Sequence, residues 1–211
     1  MIARFPDDEF KKLKRVMLIY EWGQKLLLTK LDIICEDYKN FYKNNPIEHI
    51  RSRMKMPESI ASKLLEIEVE LTADNARKYV RDIAGIRIIC TFAKDIYTLA
   101  HIIRSIPDTR TIREKDYVSN PKESGYRGFH FLVEVPVFFS GNVENIIVEV
   151  QIRTAAMDFW ATLEHKVKYK YEELIPQYLS DELIACADKT AELDERMYTI
   201  HEIISLLNHD L

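Results

Sequence analysis

From residue 146 to 154 the chain reads IIVEVQIRT, with Val148, Val150 and Ile152 alternating with Glu149, Gln151 and Arg153. Successive side chains on a strand point to opposite faces, so one face is apolar and the other carries an acid, an amide and a guanidinium. HIRSRMKM repeats the habit, with Arg51, Arg53 and Lys55 alternating with Ile50, Ser52, Met54 and Met56. Read along its length, the pattern predicts strands over 49–56, 86–92, 109–115, 128–137 and 145–153. It predicts helices over 57–71, 73–81, 94–106 and 155–171. Ser140-Gly141-Asn142 is a hairpin signal, which makes the last two strands antiparallel neighbours.

The two ends follow a different period. Phe10, Leu13, Met17, Tyr20, Gln24, Leu27, Leu31, Ile34, Tyr38 and Phe41 keep a 3-4 spacing, a heptad stripe with one polar member, Gln24. Asn44-Asn45-Pro46 stops it. Leu183, Cys186, Thr190, Leu193, Met197, Ile200, Ile204 and Leu207 keep the same spacing near the C-terminus, with Ser180 as the expected N-cap and Asp181 and Glu182 in the first turn. Each stripe needs a partner, either within the chain or on another subunit. The expected architecture is α+β: one mixed or antiparallel sheet of about five strands, flanked by helices, with long helices at both ends. One domain accounts for residues 1–211, with an N-terminal helical region over 1–45, a core over 46–172 and a C-terminal helix over 178–211.

Composition narrows the function. A net charge of −4 and a pI near 5.9 argue against a generally basic nucleic-acid binder. The three cysteines, Cys35, Cys90 and Cys186, are widely spaced without CxxC, as expected of reduced, mostly buried thiols in a cytoplasmic protein. The N-terminus is charged from the start, so no signal peptide is expected, and no apolar run approaches the ~20 residues that span a bilayer. The terminal His209-Asp210 is a lone dipeptide and carries no reading.

The polar strand faces carry the candidate chemistry. Arg51, Arg53 and Lys55 lead directly into Pro57-Glu58-Ser59. A helix N-terminus beside a cationic strand favours an anion, and Ser59 adds a hydroxyl. A solvated Lys/Arg-rich edge strand gives the same sequence. In RDIAGIRIICTF, Asp82 precedes a buried strand, Gly85 permits a close approach or an unusual backbone angle, and Arg87 shares a face with Ile89 and Thr91. Asp82 alone reads as a turn former; Glu149 offers it a second carboxylate, and Mg²⁺ is commonly held by one or two carboxylates plus phosphates. KESGYRGFH sets Lys122, Tyr126, Arg127 and His130 within nine residues around a flexible Ser124-Gly125. A tyrosine can stack on a base while the cations hold phosphates. Two carboxylates, many cations and an aromatic are the parts phosphoryl chemistry needs. No Walker A, GxGxxG or GxSxG motif is present, and no zinc spacing.

PIEHIRSRMKMPESI, RDIAGIRIICTF, KDYVSNPKESGYRGFH and VEVQIRTAAMDFWATLEHKVKYKY resemble, in order, the RelA/SpoT synthetase domain, and most of all the stand-alone small alarmone synthetases. The resemblance runs from about residue 46 to 171. It implies a nucleotidyltransferase-like fold and a Mg²⁺-dependent transfer of the β,γ-diphosphate of ATP to the 3′-hydroxyl of GTP or GDP, leaving AMP. The length leaves no room for a preceding hydrolase domain, so a bifunctional long enzyme is not expected. By position, Arg53 and Arg87 would flank adenine, and Lys55 and Ser59 would meet the ATP phosphates. Asp82 and Glu149 would serve Mg²⁺, with Glu149 also the base for the 3′-hydroxyl. Tyr126 would stack on guanine, Lys122 and His130 would hold the acceptor phosphates, and Gln151 would order the acceptor site. Arg153 receives no role.

The chain departs from the family pattern at Gly128-Phe129, where Ser-Tyr is frequent, at Asp158, where Asn is frequent, and at Lys166-Val167-Lys168, where Ser-Leu-Asn is typical. Family members of this size are typically homotetramers, which would give the heptad stripes their partners. An alarmone effector and a single-stranded RNA regulator are compatible partners. Two other readings stand beside the leading one: a toxin that pyrophosphorylates the 3′ end of tRNA, and a catalytically silent nucleotide- or RNA-binding regulator.

Overall fold

The computed structural model describes residues 4–42, 45–170 and 176–207. Asn44, Tyr171, His209-Asp210 and the side chain of Lys168 lie outside the described residues. Eleven elements follow in order: α1 (Asp7–Phe41), β1 (Ile47–Met54), α2 (Pro57–Glu66), α3 (Ala73–Tyr79), β2 (Ala84–Cys90), α4 (Ala93–Arg104), β3 (Arg110–Asp116), β4 (Phe129–Phe139), β5 (Asn142–Thr154), α5 (Ala155–Lys170) and α6 (Gln177–Leu207).

The five strands form one mixed sheet in the order β1-β2-β5-β4-β3. β2 and β5 run parallel at its centre and the other pairs are antiparallel. The β4–β5 hairpin turns on Ser140 and Gly141, both at positive φ (48° and 84°), between the paired Phe139 and Asn142. Positive φ at both central residues gives a turn whose twist matches the strands, so β5 starts three residues earlier than its hydrophobic pattern suggests.

Alternation governs burial in β4 and β5. Phe131, Val133, Val135, Ile146, Val148, Val150 and Ile152 point into the main core. α1 and α4 cover that face: Gly23 of α1 abuts Ile146 and Val137, while Tyr97 and Arg104 of α4 lie against Phe129. Leu13, Leu27 and Leu31 of α1 are fully buried, each stabilising the attachment by about 1.5–3 kcal/mol. The opposite sheet face stays open in its middle.

Several sequence expectations need correction. α2 ends at Glu66 rather than 71, because Glu68 takes a left-handed conformation (φ 56°) and the chain reverses to pack Val69 and Leu71 on the core. Ser180 is not the N-cap of α6. The helix begins at Gln177, behind Pro176, whose carbonyl accepts from the Leu179 N–H at 2.9 Å. Proline, with φ already near the helical value, suits a helix start. The cysteines are free, but only Cys90 is buried. α1 packs on the sheet, whereas α6 packs on α5 and α4 and buries only Ala187. Leu193, Met197, Ile200, Ile204 and Leu207 of the second stripe are each more than half exposed. No helix among the described residues is long and apolar enough to cross a membrane.

Candidate active site

Strand register carries polar side chains across the open face in two rows. Arg51 (β1), Arg87 (β2), Gln151 (β5), His130 (β4) and Lys115 (β3) are successive partners. The neighbouring row is Arg53, Gly85, Glu149, Leu132 and Arg113. Gly85 contributes no side chain, which leaves the floor open between Arg53 and Glu149. Its backbone is ordinary strand, and an added Cβ would meet Arg53 Cγ at 3.7 Å, so no unusual angle is needed there. Behind this pair, the buried Gln24 of α1 donates to the carbonyls of Arg53 (2.8 Å) and Gly85 (2.9 Å). The polar member of the first stripe thus ties α1 to the floor of the site.

Two cavities open over the rows. One of about 230 Å³ lies on the β1–β2 side, against Arg51, Arg53, Arg87, Glu149 and Gln151. The other, of about 450 Å³, lies toward β3, against Asp82, Arg113, Lys115, Tyr117, Lys122 and His130. Arg53, Glu149 and Gln151 line both. Glu149 therefore sits at the junction of the two cavities.

Asp82 lies just before β2, and each of its oxygens accepts from a lysine: Lys55 Nζ at 2.8 Å and Lys63 Nζ at 2.7 Å. Burial pushes the Asp82 carboxyl up, but the two lysines outweigh it and hold the group below the usual carboxylate range. Glu149 behaves alike. Burial raises it, while His130 and the Gln151 amide, which donates to Oε2 at 2.9 Å, bring it below its ordinary value. The charge on Asp82 acts on Glu149 in the raising direction.

Lys122 hovers over two rings, 4.8 Å from the Tyr117 centroid and 4.9 Å from that of Tyr126. Tyr126 packs against the Trp160, Ala161 and Ala187 cluster, and Tyr117 lines the larger cavity. The loop carrying them is not loose. Gly125, at φ 85°, is wedged against Ala187 and Ile184 of α6, and Lys122 and Tyr126 share a backbone hydrogen bond of 3.1 Å. Ser59 lies in the first turn of α2, exposed and lining neither cavity. Arg87 Nη1 donates to Asp158 Oδ1 at 3.0 Å, and its Nε is buried with no partner among the described residues.

Residues 52–174 match the family model described as a region found in RelA / SpoT proteins. The chain belongs to the RelA/SpoT family. It is 43% identical over 187 residues to GTP pyrophosphokinase YwaC of Bacillus subtilis (strain 168), covering 89% of each chain. Small alarmone synthetase 1 of Bacillus subtilis, solved bound to its product pppGpp, superposes with a TM-score of 0.86 at 33% identity, over 92% of this chain and 99% of that one. The same synthetase bound to AMPCPP gives a TM-score of 0.78 at 31% identity, over 92% and 98%.

Within this RelA/SpoT site, sequence reasoning missed Lys63, Arg113, Lys115 and Tyr117, and noted Asp158 only as a departure from the family pattern. Lys63 falls one helical turn after Ser59, and Arg113 and Lys115 alternate as Arg53 and Lys55 do, so those three carried a readable signal. The pairing of Asp158 with Arg87 and Arg153 carried none, since these partners come from two strands. Among the described residues no group of three or more His, Cys, Asp or Glu side chains could hold a metal. Asp82 and Glu149 could nevertheless hold Mg²⁺: they are two carboxylates lining one cavity, and Asp82 already attracts two lysine ammonium groups. A divalent ion of this kind takes its remaining ligands from phosphates and water.

Proposed function

We propose that the chain is a GTP pyrophosphokinase, moving the β,γ-diphosphate of ATP to the 3′-hydroxyl of GTP or GDP and releasing AMP. The observation that carries this reading is Glu149 at the junction of the two cationic cavities. The pppGpp and AMPCPP complexes of the similar synthetase support one guanine and one adenine nucleotide. Arg53 and Arg87 flank adenine in the smaller cavity, and Lys55 and Ser59 meet the ATP phosphates. Lys122 and His130 hold the acceptor phosphates, and Gln151 orders the acceptor. Guanine stacks on Tyr126 once Lys122 leaves the ring for those phosphates. In the transfer, Glu149 accepts the proton of the 3′-hydroxyl as its oxygen bonds to the β-phosphorus. The bond from that phosphorus to the α–β bridging oxygen breaks, and AMP leaves with the electron pair. Asp82 and Glu149 would hold Mg²⁺, which supplies charge neutralisation on the phosphates.

The second stripe supports a homo-oligomer formed through α6, of which a tetramer is the form we favour, working in the cytoplasm. Incubation with Mg²⁺, ATP and GDP should yield AMP and a 3′-pyrophosphorylated guanosine nucleotide. Inorganic pyrophosphate as the sole product would overturn the reading. Glu149→Gln should lower kcat by about 10²–10⁴-fold with ATP binding retained, as loss of a general base does.

A further inference from the structure

Arg153 is almost fully buried (7% side-chain exposure) and each of its three guanidinium nitrogens has a different partner. Nε donates to Tyr126 Oη at 3.1 Å, Nη1 to Asp158 Oδ1 at 3.0 Å and Nη2 to Gln151 Oε1 at 2.9 Å. Two of these partners lead back to Glu149. Gln151 Nε2 donates to Glu149 Oε2, and Tyr126 Oη bonds His130 Nε2 at 2.5 Å, with His130 Nδ1 facing Glu149 Oε1 at 3.6 Å. Arg153, Gln151, Glu149, His130 and Tyr126 thus close a ring of side chains.

Donor and acceptor chemistry gives this ring a direction. A guanidinium only donates and an ionised carboxylate only accepts. The Gln151 amide between them must turn its oxygen to Arg153 and its nitrogen to Glu149, because the flipped amide would set like groups against each other on both sides. On the other arm, Tyr126 Oη already accepts from Arg153, which leaves its own proton for His130 Nε2. In the nucleotide-free site, the neutral form of His130 then carries its hydrogen on Nδ1, toward Glu149. The opposite tautomer would leave the phenol proton without an acceptor and set a bare nitrogen lone pair against a carboxylate.

We propose that Arg153 is a positioning residue that fixes both the Gln151 amide orientation and the His130 tautomer, and so the donors presented to the two oxygens of Glu149. Asp158 anchors it: the same Oδ1 accepts from Arg87 and Arg153, and its charge lets two guanidinium groups lie side by side. Gly128 makes room, since a Cβ there would stand 3.0 Å from Tyr126 Oη and 3.3 Å from Arg153 Cγ. Gly128 and Asp158 therefore both border the ring.

The role of Glu149 as base rests on the reading above; the ring itself does not. Long-range ¹H–¹⁵N spectra of histidine-labelled protein at neutral pH, without nucleotide, read the tautomer directly, with His130 assigned by His130→Asn. The wild type should show the hydrogen on Nδ1. Tyr126→Phe, which cuts the relay, and Arg153→Lys, which keeps the charge but loses the fork, should both lose that preference. Arg153→Lys should also lower kcat by on the order of 10- to 100-fold, the usual cost of removing such a supporting partner, with KM for ATP within about threefold. A wild-type hydrogen on Nε2, or a tautomer unchanged in Arg153→Lys, would overturn the proposal. A protein with the expected tautomer that makes no 3′-pyrophosphorylated nucleotide would keep the ring and lose the function assigned to it.

Discussion

Asp82 carries an ammonium group on each carboxylate oxygen while lying mostly out of water. The net effect lowers its folded-state pKa below that of the unfolded chain, and Glu149 shifts in the same direction. For a depressed carboxyl, the stabilisation is fully present above the unfolded pKa. It is lost as pH falls through the folded value. Urea melts across the acid range should therefore show stability declining as pH drops below the ordinary carboxylate range. Asp82→Asn should flatten that decline and cost on the order of 1–3 kcal/mol at neutral pH, the scale of a lost charge-assisted hydrogen bond. An unchanged acid limb in this variant would mean that Asp82 is not held by the two lysines in solution.

Elements couple through a few close contacts. α6 braces the Lys122–His130 loop, since Ala187 Cβ stands only 2.7 Å from where a Cβ on Gly125 would be, and Arg127 reaches Asp188 at 3.4 Å. Trp160 Nε1 donates to the Leu183 carbonyl at 3.0 Å and Thr154 Oγ1 donates to Asp194 at 2.6 Å, fixing α5 and the end of β5 to the same helix. Gly125→Ala meets both a left-handed backbone and a filled space. It should destabilise by about 1–3 kcal/mol, as overpacking does, and raise KM for the guanine nucleotide more than KM for ATP. Equal changes in the two KM values would separate the loop from the acceptor. Gly141 has the same sign of φ but nothing within 4 Å of an added Cβ, so Gly141→Ala should strain only the turn.

Among the described residues, α6 leaves a long apolar face bare. Met197, Ile200, Ile203, Ile204 and Leu207 stand exposed along α6, and a contiguous exposed apolar face is a feature of association surfaces. Ile200→Glu together with Ile204→Glu should shift sedimentation toward the monomer. Because α6 also braces the Lys122–His130 loop, loss of assembly should raise KM for GDP. An assembly unaffected by both substitutions would place the interface elsewhere.

Period and alternation in the sequence determined the element types, the hairpin, the α+β class and the polar faces of β1 and β5. These are local properties, set by the two- and 3.6-residue repeats of side-chain direction. The motif order carried the family, and with it Asp82, Glu149 and the Lys122–His130 loop. Where elements stop was less legible: Glu68 ends α2 by a backbone conformation that its residue type does not announce. Strand order and register were decided only by tertiary packing. The sequence offers no way to place Gly85 opposite Glu149 or His130 opposite Gln151, because partner choice depends on how α1 and α4 cover the sheet. Lys63 at Asp82, Tyr117 in the cavity and Asp158 between two arginines follow from that placement. The same holds for Arg153, a polar residue on a strand in the sequence, whose three partners exist only once β4, β5 and α5 meet.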